Sequence, residues 1–138
     1  MQFSTIEEAV QAIKAGQIII VMDDEDRENE GDFICAAEKA TDQLVNFMLL
    51  HGRGQVCMPI LPDLCQKLNL APMVKDNTAP LQTAFTIPID HISAKTGITA
   101  QEKATTILAA VSPTAKASDF WSDVFDEFDP SAILRLRL

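Results

Sequence analysis

A chain of 138 residues, 47% apolar and 22% charged, has room for one globular domain with a sizeable core and is not of disordered composition. Its formal charge of −9, with 11 scattered basic residues, argues against a nucleic-acid-binding stripe or an anionic-membrane surface, and an anionic ligand would need a local cation. Cys35, Cys57 and Cys65 are odd in number and lack metal-type spacing, which argues against a disulfide framework or a zinc site and points to a reducing, cytoplasmic setting.

The apolar runs are too short to span a bilayer, and no secretory or transit segment is expected before the first helix. Ser4-Thr5-Ile6-Glu7-Glu8 has capping-box spacing. Ile6, Ala9, Val10 and Ile13 then recur at helical intervals up to Gly16, which predicts an amphipathic helix with a glycine stop. The β-branched run Ile18-Ile19-Ile20-Val21-Met22 predicts a strand over 17–22 buried on both faces. Phe33-Ile34-Cys35-Ala36-Ala37 predicts a second strand, antiparallel to the first, because a parallel pair needs a long crossover.

Thr41 caps a predicted helix over 42–50, with Leu44, Phe47 and Met48 on one face and Gly52 and Gly54 beyond its end. Residues 55–60 read as a strand. Pro62 opens a short helix through Leu68, and residues 71–81, with Pro72, Asn77 and Pro80, read as loop. Residues 83–89 alternate as a strand whose end Pro88 confines to a sheet edge. Thr99 and Glu102 form a second capping box, and Ala104, Ile107, Leu108 and Val111 give the face of a helix ending before Pro113. Helices and strands interleave without a regular βαβ rhythm. The expected class is therefore α+β, a single compact domain with a mixed, largely antiparallel sheet and flanking helices. No boundary is visible before Ser112.

The chemistry concentrates at the first strand's exit, in Asp23-Asp24-Glu25-Asp26-Arg27-Glu28-Asn29-Glu30-Gly31-Asp32, which holds seven of the 20 acidic residues. A charge run by itself is a solvated surface. Here Arg27 stands inside the cluster, Gly31 breaks it before another apolar run, and so many carboxylates repel one another unless a cation relieves them. A hard divalent ion that takes oxygen ligands suits the role.

This decapeptide resembles the signature loop of the 3,4-dihydroxy-2-butanone 4-phosphate synthases, riboflavin-pathway lyases acting on ribulose 5-phosphate. His51-Gly52-Arg53-Gly54-Gln55-Val56-Cys57, Thr83-Ala84-Phe85-Thr86 and Thr96-Gly97-Ile98-Thr99-Ala100 follow in the family's order, and the resemblance runs from about Phe3 to about Phe120. It implies conversion of D-ribulose 5-phosphate to 3,4-dihydroxy-2-butanone 4-phosphate and formate, with magnesium or manganese as cofactor, in a cytoplasmic homodimer. By matching position, Glu28 is the metal-binding glutamate and a substrate contact, Arg27 contacts substrate, and Asp32 meets its hydroxyls. Glu30 is an acid/base or supporting group, and Cys57 lines the catalytic wall without a covalent role. Thr96 and Thr99 belong to a substrate-binding segment whose hydroxyls and helix N-terminus suit oxyanions. Asp23, Asp24, Glu25 and Asp26 are expected to shape the loop and its field. His51 reads as a helix-end partner, and His91 in its polar turn carries no signal.

Two departures stand out. Glu102 and Lys103 occupy positions where the family has aspartate and arginine, which keeps charge but loses bidentate contact. Beyond Phe120 the family's Pro-Gly-His and Gly-His-Thr-Glu segments, carrying a catalytic histidine and the second metal ligand, are not found. The chain therefore reads as an incomplete synthase-like domain over 1–120 with a divergent tail over 121–138, as a truncated or frameshifted frame would give. The tail, with Phe125, Phe128, Ile133 and Leu134, is expected to be the least ordered part. The alternative function is an inactive remnant or subunit that binds a divalent cation or an intact partner.

Overall fold

The computed structural model describes residues 3–26 and 29–121. The first helix, α1 (Ile6–Lys14), starts where Thr5 accepts from the Glu8 N–H and the Glu8 carboxylate accepts from the Thr5 N–H. It ends at Gly16, whose φ of +78° suits glycine. Strands β1 (Ile19–Met22) and β2 (Gly31–Ile34) form the expected antiparallel hairpin, with Ile19 opposite Ile34 and Met22 opposite Gly31. The expectation of burial on both faces fails: Ile20 is 63% and Met22 50% exposed. The hairpin is an isolated pair among the described residues, so nothing covers both of its faces.

A short 3-10 turn, Ala37–Lys39, leads to α2 (Asp42–Gly52), where the Thr41 hydroxyl accepts from the Leu44 N–H at 3.1 Å. Its most buried residue is Val45, 1% exposed, while of the expected face Leu44 and Met48 are half-buried and Phe47 is exposed. Phe47 turns instead to Phe33 and His51, with ring centroids at 5.6 and 4.5 Å. Pro62 opens α3 (Pro62–Lys67) as its composition predicts.

Helix α4 (Ala100–Ala110) carries the Thr99–Glu102 capping box. It packs on both α2 and β3 (Asp90–His91). One buried cluster joins its Ala104 to Ala40 and Val45, with Ile107 packed against them. A second joins its Ala110 to Leu68, Ala115 and Phe120. Leu108, expected on the buried face, is exposed; Thr106 is buried in that part of the helix and binds backbone, its hydroxyl donating to the Glu102 carbonyl and accepting from the His91 N–H. A 3-10 turn, Ala117–Asp119, precedes β4 (Phe120–Trp121), which pairs antiparallel with β3.

Two expected strands are not regular elements. Among the described residues, 55–60 have no ladder, and 83–89 hold only a bridge between Pro72 and Thr86, supported by the Met73 N–H to the Phe85 carbonyl and the Ile87 N–H to the Ala71 carbonyl. The α+β class stands, with the strands in two separate two-stranded antiparallel pairs.

Candidate functional site

The acidic stretch is the loop of the β1–β2 hairpin. At its base the Asp23 N–H donates to the Glu30 carbonyl at 3.1 Å, and the Glu30 N–H donates to Asp23 Oδ1 at 2.7 Å. Further out, the Asp26 N–H donates to Asp24 Oδ1 at 3.0 Å, an Asx turn. Asn29 takes a left-handed φ of 52° to close the loop, a conformation asparagine tolerates better than most residues. Asp23 and Asp24 thus shape the loop, as expected of them.

Arg27 and Glu28 lie outside the described residues. Glu30 is exposed at the loop's end and Asp32 is exposed on β2. Register fixes Asp32 opposite Val21, on the face away from Phe33 and its α2 contacts. Burial first, and the charge of Asp32 second, push the Cys57 thiol above its ordinary value. A thiol held protonated is a poor nucleophile. The Asp32 charge is thus felt at Cys57, 25 positions later in sequence.

Cys57 also lines an open cleft of about 540 Å³ between residues 55–60 and 83–90, floored by Lys103, Thr106, Ile107 and Ala110 of α4. The lining is chiefly apolar, with Asp90 and Lys103 as its charged groups. No sequence pattern marks Asp90, since a two-residue strand has no periodicity to detect. Asp90 packs its carboxylate against Gly97 where a Cβ would stand, and the Gly97 φ of +66° is one that favours glycine. Lys103 Nζ donates to the Gly97 carbonyl at 3.1 Å. Thr96 and Thr99 stand on this loop outside the cleft lining, and both hydroxyls donate to Glu102 Oε2, at 2.9 and 3.0 Å.

The Glu102 carboxylate also accepts from the N–H groups of Lys95, Thr96 and Thr99. These bonds, the Lys95 N–H foremost, lower its pKa to about 2. His51 lies in the last turn of α2 against Phe47. His91, expected in a polar turn, sits half-buried in β3, with Nδ1 2.8 Å from the Ser93 hydroxyl and its ring edge-on to Phe120.

Among the described residues no three His, Cys, Asp or Glu side chains converge as a metal-holding group. Asp23 and Asp24 are engaged in the loop's own turns, and Glu28 is outside the description. The described carboxylates thus do not form a preformed cage. Magnesium, which keeps several waters and binds through one or two carboxylates with substrate oxygens, does not require one.

The model of the family 3,4-dihydroxy-2-butanone 4-phosphate synthase matches residues 7–123. The Riboflavin biosynthesis protein RibBA of Bacillus mycoides is 53% identical over 118 residues, covering 86% of this chain and 30% of its own length. A solved 3,4-dihydroxy-2-butanone 4-phosphate synthase in complex with two magnesium ions superposes with TM-score 0.84 at 38% identity, covering 86% of this chain and 56% of that one. RibBX, a two-domain synthase from A. baumannii, gives TM-score 0.81 at 44% identity over 86% of this chain and 35% of its own. The chain thus spans about a third of the curated relatives and just over half of the first solved synthase, and it belongs to the 3,4-dihydroxy-2-butanone 4-phosphate synthase family.

Proposed function

We propose that these residues form the acidic-loop part of a site that converts D-ribulose 5-phosphate to 3,4-dihydroxy-2-butanone 4-phosphate and formate, in riboflavin biosynthesis. The observation that carries this reading is the family match across residues 7–123, together with the charge of Asp32 acting on Cys57, a residue of the cleft wall. Asp32 receives the substrate hydroxyls, Arg27 orients the substrate, and Glu30 holds or moves a proton beside the carbonyl. Cys57 limits the wall without bonding to substrate, because its protonated thiol is a poor nucleophile.

Glu28 is the residue proposed to hold a magnesium or manganese ion, which when bound supplies positive charge to the vicinal oxygens of an enediolate. A solved synthase in complex with two magnesium ions supports a divalent cation as the cofactor. The division into a synthase-like part over 1–120 and a divergent tail over 121–138 belongs to the same proposal, supported by where the family match stops. The cytoplasm as its location and a second copy of the chain as its partner complete the proposal. No helix among the described residues is long and apolar enough to cross a membrane.

Calorimetry with ribulose 5-phosphate in saturating magnesium, paired with a formate-release assay, tests this. The expected result is binding that Asp32→Asn weakens, with little formate from the 138-residue chain alone. Failure of ribulose 5-phosphate to bind would overturn the proposal. Formate release at full rate would assign the whole reaction to these residues.

A further inference from the structure

We infer that the open cleft beside Cys57 is the seat of a polypeptide strand, received between residues 55–60 and 83–89 from a partner chain that supplies the part of the synthase fold missing here. This seat concerns assembly and is independent of the reaction proposed above.

Residues 55–60 have the burial of a strand and no partner. Val56, Met58 and Ile60 are half-buried while Gln55, Cys57 and Pro59 are exposed, the period of two that an extended chain gives. None of these six residues makes a backbone hydrogen bond among the described residues. On the other wall, the Phe85 carbonyl and the Ile87 N–H are taken by Met73 and Ala71. Successive residues of an extended chain turn their backbone groups to opposite edges. Thr86 therefore presents its N–H and carbonyl away from residues 71–73, and neither finds a partner among the described residues. Two extended segments with unpaired backbone groups thus border one chiefly apolar space of about 540 Å³.

Those backbone groups decide what the space accepts. A small apolar ligand would fill the volume but seal N–H and carbonyl groups away from water without bonding to them, which is unfavourable. A polypeptide strand brings its own N–H and carbonyl groups, and its alternate side chains fill the apolar lining. The course of the chain indicates which polypeptide. Strand β4 ends the described residues beside this space, because Trp121 pairs with Asp90, which lines the cleft. The solved synthase with two magnesium ions superposes on 86% of this chain, yet 56% of that synthase is covered. Nearly half of that fold has no counterpart here, and the unpaired walls lie where the described part ends.

Amide hydrogen exchange tests this. The full 138-residue chain is followed by NMR alone and with a polypeptide comprising the part of that synthase outside the matched region, with a scrambled version as control. A strand pairs one edge through alternate residues. Binding should therefore slow the Thr86 amide and alternate amides of residues 55–60, by about 100-fold at a free partner concentration 100 times Kd. The control should leave them unchanged. Thr86→Pro removes the N–H that the partner needs and no backbone bond that the chain now makes, and should weaken binding by about tenfold. Phe85→Glu, at an exposed lining residue, sets a carboxylate in the apolar seat while leaving the backbone able to pair. It should also weaken binding, and it serves where the proline variant does not fold.

Uniform slowing across residues 55–60, or none, would overturn the inference, as would undiminished binding in both variants. Slowing in the chain alone at every concentration would overturn it by giving the cleft to residues 122–138 of the same chain. Slowing that grows with the chain's own concentration would overturn it in favour of a second copy.

Discussion

At the scale of single residues, Glu102 and Glu28 ask opposite questions of the same chemistry. Glu102 is a carboxylate whose charge is consumed by its own loop. Its folded pKa of about 2, set first by the Lys95 N–H, lies below the ordinary carboxylate value of 4.5. A depressed folded pKa contributes stability that is present above the unfolded value and lost as pH falls through the folded one. The chain's melting temperature should therefore drop between about pH 4.5 and 2, and Glu102→Gln should flatten that part of the profile. A variant with the same acid slope as the wild type would remove Glu102 as the cause. Glu28 is proposed to keep its charge for an external cation, so Glu28→Gln should weaken magnesium binding while leaving loop length unchanged. Equal affinities by calorimetric titration would return the acidic run to a solvated surface.

Among the elements, helices were legible in the sequence because their signals are local. Thr5 with Glu8, Thr41 and Thr99 with Glu102 each announced a helix start that the structure shows with its capping bonds. The hairpin was legible for a similar reason: two apolar runs with a short loop between them leave little choice but antiparallel pairing. Strands at 55–60 and 83–89 were not, although their composition suits a ladder. A strand exists only with a partner, and the pairing of these segments among the described residues is limited to the Pro72–Thr86 bridge. Asp32 and Cys57 were named as site candidates from motifs, while Asp90, which lines the cleft, stayed hidden in a two-residue strand. Asp90 makes the 90–99 loop sensitive at one point. Gly97→Ala would combine a left-handed φ of +66° with a clash on the Asp90 carboxylate. It should cost at least about 1–2 kcal/mol from the backbone alone, read as a lower urea midpoint with an unchanged slope. Full retention of stability would mean that the loop can shift away from Asp90.

For the molecule as a whole, the decisive feature is how much apolar surface the described residues leave open. Phe3, Ile6 and Val10 line the start of the chain, with Ile6 76% exposed, and Ile20, Val21 and Met22 remain uncovered on β1. Small apolar residues scattered singly are ordinary on a surface, but neighbouring large ones mark a face that binds something. The proposed occupant is a second copy of the chain, and the charge of −9 sets a condition on it. Like-charged copies repel at long range, and salt screens that repulsion while leaving apolar burial intact. Self-association should therefore strengthen as ionic strength rises, the reverse of an assembly held by surface ion pairs. Sedimentation velocity across a concentration series at low and high salt would show it, with the weight-average coefficient climbing more steeply at high salt. Replacing Ile6 with glutamate, an exposed change that α1 can tolerate without losing its Thr5 cap, should suppress the climb while leaving the helical circular dichroism unchanged. A chain that sediments as a monomer under every condition would remove the second copy from the proposal. An unaltered climb in the Ile6 variant would move the contact off the α1 face.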